Sequence, residues 1–318
     1  MSKIIFHEDE TAHLDLDLTL KRMRLAAAVR APRTMIGYKS DWGIFVKWCK
    51  SRGREFLPAT TDTVALYLTW LLTQHRVSTT EHHASAISFY HREAGLENPC
   101  AGPVRELLAG AQRLSGEQPR QKTPLSVDEI RKISESLGRE PRELRDRALL
   151  VFGFATALRR CNLAMLLISD LSFESKGIRV QIRHEKNDPR GRGRQLGVSL
   201  GQNESTCPVR TMSTWIDCRG KKDGPVFCQV RNGRPNFKSI RGDRIAQIIQ
   251  EAVEGIGLDP KIYAGHSLRS GFVTEAVLNG VNEFKIAEQT GHRDLNTLRR
   301  YYRRQDIFRS NASAMVGL

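Results

Sequence analysis

From Leu18 to about Leu114, apolar residues recur at helical spacing in four or five segments. In TMIGYKSDWGIFVKWCKSRG, Tyr38, Trp42, Phe45 and Trp48 fall on one face, and Gly53 follows as a stop. TDTVALYLTWLLTQHR and STTEHHASAISFYHREAG repeat the pattern, and no segment of this region alternates as a strand would. Aromatic stripes of this spacing predict the buried side of a helix rather than a platform for stacking bases. Residues 1–17 are polar and read as a loose tail, and the polar, Pro-containing stretch over 115–125 reads as a linker.

Beyond the linker the pattern mixes. Ser126 and Glu129 in SVDE have the spacing of a capping box, which predicts a helix start. LRDRALLVFGFA carries apolar residues at 144, 148, 149, 152 and 155, a helical period. GIRVQIRHEKNDPRGRGRQLGVSL alternates at 178, 180 and 182, turns through Pro, Gly and Arg, and offers a second short strand. Helices resume near Asp243 and run to the end, where Ile307, Phe308, Ala312, Met315 and Val316 form an apolar face within 306–318 that either folds back on its own domain or docks on a neighbouring subunit. The expected fold is mostly α with a small β-sheet: an all-α domain over 18–114, an α+β domain over 126–305 and a tail helix over 306–318.

Charge adds a partner to this picture. The chain of 318 residues carries a net +15, of which +4 lies in residues 1–123 and +11 in the rest. Such an excess favours a polyanion, since each Lys or Arg set on a phosphate releases condensed counterions. With 40% hydrophobic and 27% charged residues the composition is that of a folded globular chain. The six cysteines form no CxxC pair and no zinc-type spacing with His, and nothing suggests a disulfide framework. MSKIIFHEDE lacks the character of a signal peptide, and no stretch approaches the roughly 20 apolar residues of a membrane helix. A cytoplasmic protein without membrane contact is the expectation.

Three constellations carry candidate chemistry. In TALRRCNLAML, Arg159 and Arg160 interrupt an apolar run, so at least one of them must reach an anion, a salt bridge or solvent. In GHSLRSGF, His266 and Arg269 stand three apart and share a helix face. In GHRDLNTLRRYYRR, Asp294 can cap a short basic helix whose five arginines surround Tyr301 and Tyr302. Fixed positive charge there stabilises a phenolate, although a solvated basic face reads equally well from the residues alone.

Taken together these residues resemble the tyrosine recombinase (phage integrase) family. The resemblance covers the second domain from about Pro124 to Tyr302, and the helical first domain more loosely. TALR matches the family's first arginine at Arg159, HEKND its lysine turn at Lys186, HSLR its His266 and Arg269, and GH its His292. Counting nine residues from His292 arrives at Tyr301 as the nucleophile. One departure is Asn162, where the family often carries Asp or Glu. The resemblance implies an N-terminal core-binding domain and a C-terminal catalytic domain that clamp double-stranded DNA, with no metal or nucleotide cofactor. It further implies a 3′-phosphotyrosine intermediate, a tetramer on DNA coupled through the 306–318 tail, and room for accessory DNA-bending or directionality factors. Arg120 and Lys122 in the linker, Arg241 and Arg244 at the start of RGDRIAQIIQEA, and Arg33, Lys39, His83 and Arg92 in the first domain are candidates for DNA contact. Two other readings stay open: a type IB topoisomerase with the same tyrosine chemistry, and a DNA-binding accessory protein that has lost catalysis.

Overall fold

A computed structural model of the chain describes residues 32–116, 122–183, 185, 192–295 and 298. They belong to two compact units, Met1–Pro119 and Arg120–Leu318.

The first unit is helical: α1 (Pro32–Lys50), α2 (Thr61–Leu72), α3 (Val77–Glu93) and α4 (Pro103–Ser115). α1 ends where apolar periodicity gives way to Gly53, at φ +62°. The Thr60 hydroxyl accepts the Thr63 N–H and caps α2, while Pro103 opens α4 where no intrahelical N–H is needed. The aromatic stripe of α1 is core. Phe45 and Trp48 are buried against Tyr67 with ring centres 4.9 and 5.3 Å away, and Trp42 stacks on Tyr90 at 4.5 Å. His83 belongs to the same interior at 4% exposure, its Nδ1 2.8 Å from the Tyr67 hydroxyl and its Nε2 3.6 Å from Asp41. It is therefore withdrawn from the DNA-contact candidates: a neutral imidazole on the inward side of α3 fills a core position.

The second unit is α+β. α5 (Val127–Ser136) starts on the Ser126–Glu129 capping box, and α6 (Pro141–Thr156) follows. α6 carries the central apolar face, Ala148 to Phe152, and packs on α8 (Pro208–Arg219) and α10 (Ser267–Leu278). Gly153 lets α6 come close: a Cβ there would stand 3.0 Å from Leu268 and 3.1 Å from Leu163. Ala157, left-handed at φ +49°, turns the chain into the short α7 (Arg160–Met165). A three-stranded antiparallel sheet follows, β1 (Leu171–Glu174), β2 (Gly177–Ile182) and β3 (Arg194–Ser199), in the order β1–β2–β3. Its register sets Ile178 against Val198 and Val180 against Leu196, which puts their side chains on the core side. A second hairpin, β4 (Cys228–Arg231) and β5 (Arg234–Ser239), turns on Asn232 and Gly233, both at positive φ. α9 (Gly242–Gly255), α10 and α11 (Glu283–Thr290) complete the described unit. Trp215, fully buried, donates its indole N–H to Val226 O at 2.8 Å and ties α8 to the strand region. Among the described residues no helix is long and apolar enough to cross a membrane.

Candidate active site

The left-handed turn at Ala157 delivers two arginines in different directions. Arg159 is partly buried, and its Nη1 is enclosed yet makes no hydrogen bond, with Glu185 Oε1 3.9 Å away. Arg160 instead runs its stem across Gly265 and Gly242; a Cβ on Gly265 would meet Arg160 Cδ at 2.7 Å. The glycine before His266 is thus the space through which Arg160 passes. Asn162, beside them on α7, is buried.

His266 stands at the N-terminal boundary of α10, its carbonyl taking the Ser270 N–H and hydroxyl. Three residues on, Arg269 is 2% exposed. Its Nη1 donates to Ala157 O at 2.7 Å and to Thr290 O at 2.6 Å, and its Nη2 lies 3.1 Å from His292 Nε2. The guanidinium therefore joins the end of α6, the start of α10 and the end of α11. Main-chain carbonyls can bind it in this way because a helix leaves its last carbonyls without intrahelical partners.

His292 follows α11 after Gly291, a residue at φ +68°. Its Nδ1 is 2.6 Å from the Thr290 hydroxyl. Burial, then the charges of Arg269 and Arg159, then His266 and Arg194, push its pKa down to about 3. His266 is shifted down as well, by loss of solvation first and then by Arg269 and Arg159. Both rings are held toward their neutral forms beside two permanent cations. Arg194 on β3 braces this region, giving Nη1 to Glu288 O at 3.0 Å and Nη2 to Gln289 O at 3.1 Å. Its Nε pairs with Glu185 at 3.1 Å. A Cβ at position 291 would lie 2.7 Å from Glu185 Oε1, so glycine there meets both a backbone need and a close approach.

Four residues singled out in the sequence thus come together: Arg159, His266, Arg269 and His292. Lys186, Arg120, Tyr301 and the tail over 306–318 lie outside the described residues, as does the side chain of Arg33. Lys39 and Arg92 are exposed on α1 and α3. Lys122 is exposed and donates to Lys261 O. Arg241 is exposed and pairs with Asp243 at 3.3 Å, while Arg244 grips Glu251 at 2.6 and 2.9 Å. Both line a cleft that also holds Arg142, Arg145 and Arg231. The sequence reading missed Thr290, Arg194 and Glu185. For Thr290 a signal was present, a hydroxyl two residues before His292 at a helix end.

Comparison with known proteins places these observations in context. The profile of the phage integrase family matches residues 124–307. An integrase/recombinase XerD homologue of Selenomonas ruminantium is 31% identical over 93% of this chain and 88% of its own length. The recombinase Cre of Escherichia phage P1 is 27% identical over 85% and 83%. Among solved structures, a Tn1549 transposon integrase in complex with transposon right-end DNA is similar with a TM-score of 0.63 at 15% identity, over 95% of this chain and 98% of that one. A lambda integrase tetramer bound to a Holliday junction is similar with a TM-score of 0.60 at 18% identity, over 95% and 83%. At such identities the structural likeness concerns the fold.

Proposed function

Because the chain belongs to the phage integrase family, it is a tyrosine-type site-specific DNA recombinase, and we propose that Arg159, Lys186, His266, Arg269, His292 and Tyr301 carry its chemistry. The Tyr301 oxygen attacks the scissile phosphate. The P–O bond to the 5′ side breaks, a 3′-phosphotyrosine forms, and Lys186 protonates the departing 5′ oxygen. A 5′-hydroxyl from the partner strand then reverses the step, so the bond energy is kept in the covalent link.

One observation carries this reading: an enclosed Arg159 nitrogen without a hydrogen bond stands in the same site as the buried Arg269. Glu185 answers that charge only from 3.9 Å, and a phosphate gathering charge in the transition state would supply the hydrogen-bond acceptor that the enclosed donor lacks. In this reading His266, exposed and held toward its neutral form, accepts the tyrosine proton, and His292 faces the Arg269 guanidinium.

Double-stranded DNA and further copies of the chain are the proposed partners, with the 306–318 tail docking between subunits. Lys39, Arg92, Lys122, Arg241 and Arg244 remain candidates for backbone contact, together with Arg33 and Arg120. Integration, excision and resolution of DNA elements are all open to this chemistry, as are accessory factors. The test incubates the protein with fragments of its source genome, in EDTA and without ATP, and maps the covalent junction. Tyr301→Phe should bind DNA and form no adduct. An adduct that survives in Tyr301→Phe and vanishes in Tyr302→Phe would move the nucleophile by one residue, and strict dependence on added Mg²⁺ would overturn the mechanism.

A further inference from the structure

Thr290 is fully buried at the last turn of α11 and touches two members of the site at once. Its carbonyl receives Arg269 Nη1 at 2.6 Å, and its hydroxyl stands 2.6 Å from His292 Nδ1 and 2.6 Å from Ile286 O. The protons can be assigned. A carbonyl only accepts, so the Thr290 hydroxyl proton goes to Ile286 O, and the oxygen then accepts from His292 Nδ1–H. An arginine only donates, so Arg269 Nη2, 3.1 Å from Nε2 and 3.4 Å from Nδ1, can meet only the ring nitrogen that keeps its lone pair. With Nδ1 protonated by its bond to Thr290 that nitrogen is Nε2, so the hydroxyl selects the tautomer and Arg269 is compatible with it.

We propose that Thr290 is a positioning residue for strand cleavage: its hydroxyl locks the His292 ring as the Nδ1–H tautomer, so that the ring and the Thr290 carbonyl together hold the Arg269 guanidinium in place. The inference rests on the reading of Arg269 as a transition-state donor. It adds that the orientation of this donor is set from α11, through a hydroxyl that does not itself touch DNA. Thr290→Val keeps the shape of the side chain and removes the hydroxyl; Thr290→Ser keeps the hydroxyl and removes a methyl group. A packing role and a positioning role therefore rank the two variants in opposite orders.

The experiment measures single-turnover formation of the covalent adduct at the mapped site for wild type, Thr290→Val, Thr290→Ser and Arg269→Ala. Beside it, the His292 ring is titrated by NMR in the DNA-free protein. We expect Thr290→Val to slow cleavage by about 10- to 100-fold with DNA binding retained, since a buried ring N–H loses its acceptor. Thr290→Ser should stay within about threefold of wild type, as its hydroxyl still makes the bond. In wild type and Thr290→Ser the ring faces Arg269, Arg159, His266 and Arg194 and should stay neutral throughout the mildly acidic range. In Thr290→Val the ring, still buried beside those charges, should stay neutral but lose its preference for the Nδ1–H tautomer, as read from its ¹⁵N shifts. Thr290→Val matching wild type in both rate and tautomer, or Thr290→Ser proving the slower variant, would overturn the proposal. A wild-type protein that forms no adduct, or an Arg269→Ala variant that cleaves normally, would instead remove the underlying reading, while the ¹⁵N shifts would still judge the Thr290–His292 bond.

Discussion

The two units bury ionisable side chains to opposite ends. In the helical unit His91 is fully enclosed, and each ring nitrogen has a partner: Nε2 accepts the Ala59 N–H and Nδ1 donates to Ile87 O, both at 2.9 Å. His83 likewise ends on Tyr67 and Asp41. In the α+β unit Arg269 is nearly as enclosed, but an arginine keeps its charge, and Arg159 adds a second charge acting on the same two histidines. A buried neutral ring with both nitrogens satisfied completes a fold. Arg159, Arg194 and Arg269 gathered beside the single carboxylate of Glu185 leave an excess of positive charge for an anion to meet, which is how a binding centre differs from a core.

Three measurements would break or sharpen that contrast. The largest effect is expected at the arginines. Arg159→Ala and Arg269→Ala should each slow adduct formation by about 10²- to 10³-fold or more, the loss of one strong transition-state donor. Arg160→Ala, whose stem lies against Gly265 and Gly242, should lose far less. Equal losses at Arg159 and Arg160 in single-turnover assays would mean that charge density, and not placement, governs the site. A middle-sized effect is expected at His91. His91→Ala should destabilise the helical unit by about 1–3 kcal/mol, because it strands the buried Ala59 N–H. Urea unfolding would read this, and cleavage per folded molecule should not change.

The smallest effect is a pH slope. His83 and His91 are held below the ordinary histidine range, chiefly by burial. Above about pH 6.5 folded and unfolded chains both keep these rings neutral, and the stability they confer is complete. As the pH falls below that value the unfolded rings take protons that the folded ones refuse, so stability declines by at most about 1.4 kcal/mol per pH unit for each ring. Hydrogen exchange of α1–α3 amides between pH 7 and 5 would show the slope, and it should weaken in His91→Gln. A flat profile would mean that the helical unit shelters its histidines less completely than the geometry indicates.

Legibility followed the range of the interaction. Helices declared themselves through apolar period and caps, as with Ser126 and Glu129, and β2 through its alternation at 178, 180 and 182. β1 did not, since LSFE is short, mostly exposed, and a strand only because β2 pairs with it. The β4–β5 hairpin carried an Asn–Gly signal at 232–233, but its flanking residues do not alternate cleanly. At the site, Arg159, His266, Arg269 and His292 could be picked out by order and spacing along the chain. The bonds that hold them could not, because Arg269 reaches Ala157 and Thr290 through carbonyls, which every residue type supplies. His83 shows the converse error: it was chosen for sign and position, and neither reveals which way a helix face turns.

The anchoring of Arg269 has a consequence for the safety of the host. A protein that cuts chromosomes is dangerous when it is half made or half unfolded. Ala157 lies 112 residues before this arginine and Thr290 21 residues after it, so its two carbonyl anchors meet only when distant stretches of the chain have both packed. Under the role proposed for Arg269, a half-made or half-unfolded copy would hold no oriented donor, and the power to break a strand would belong to the finished molecule alone.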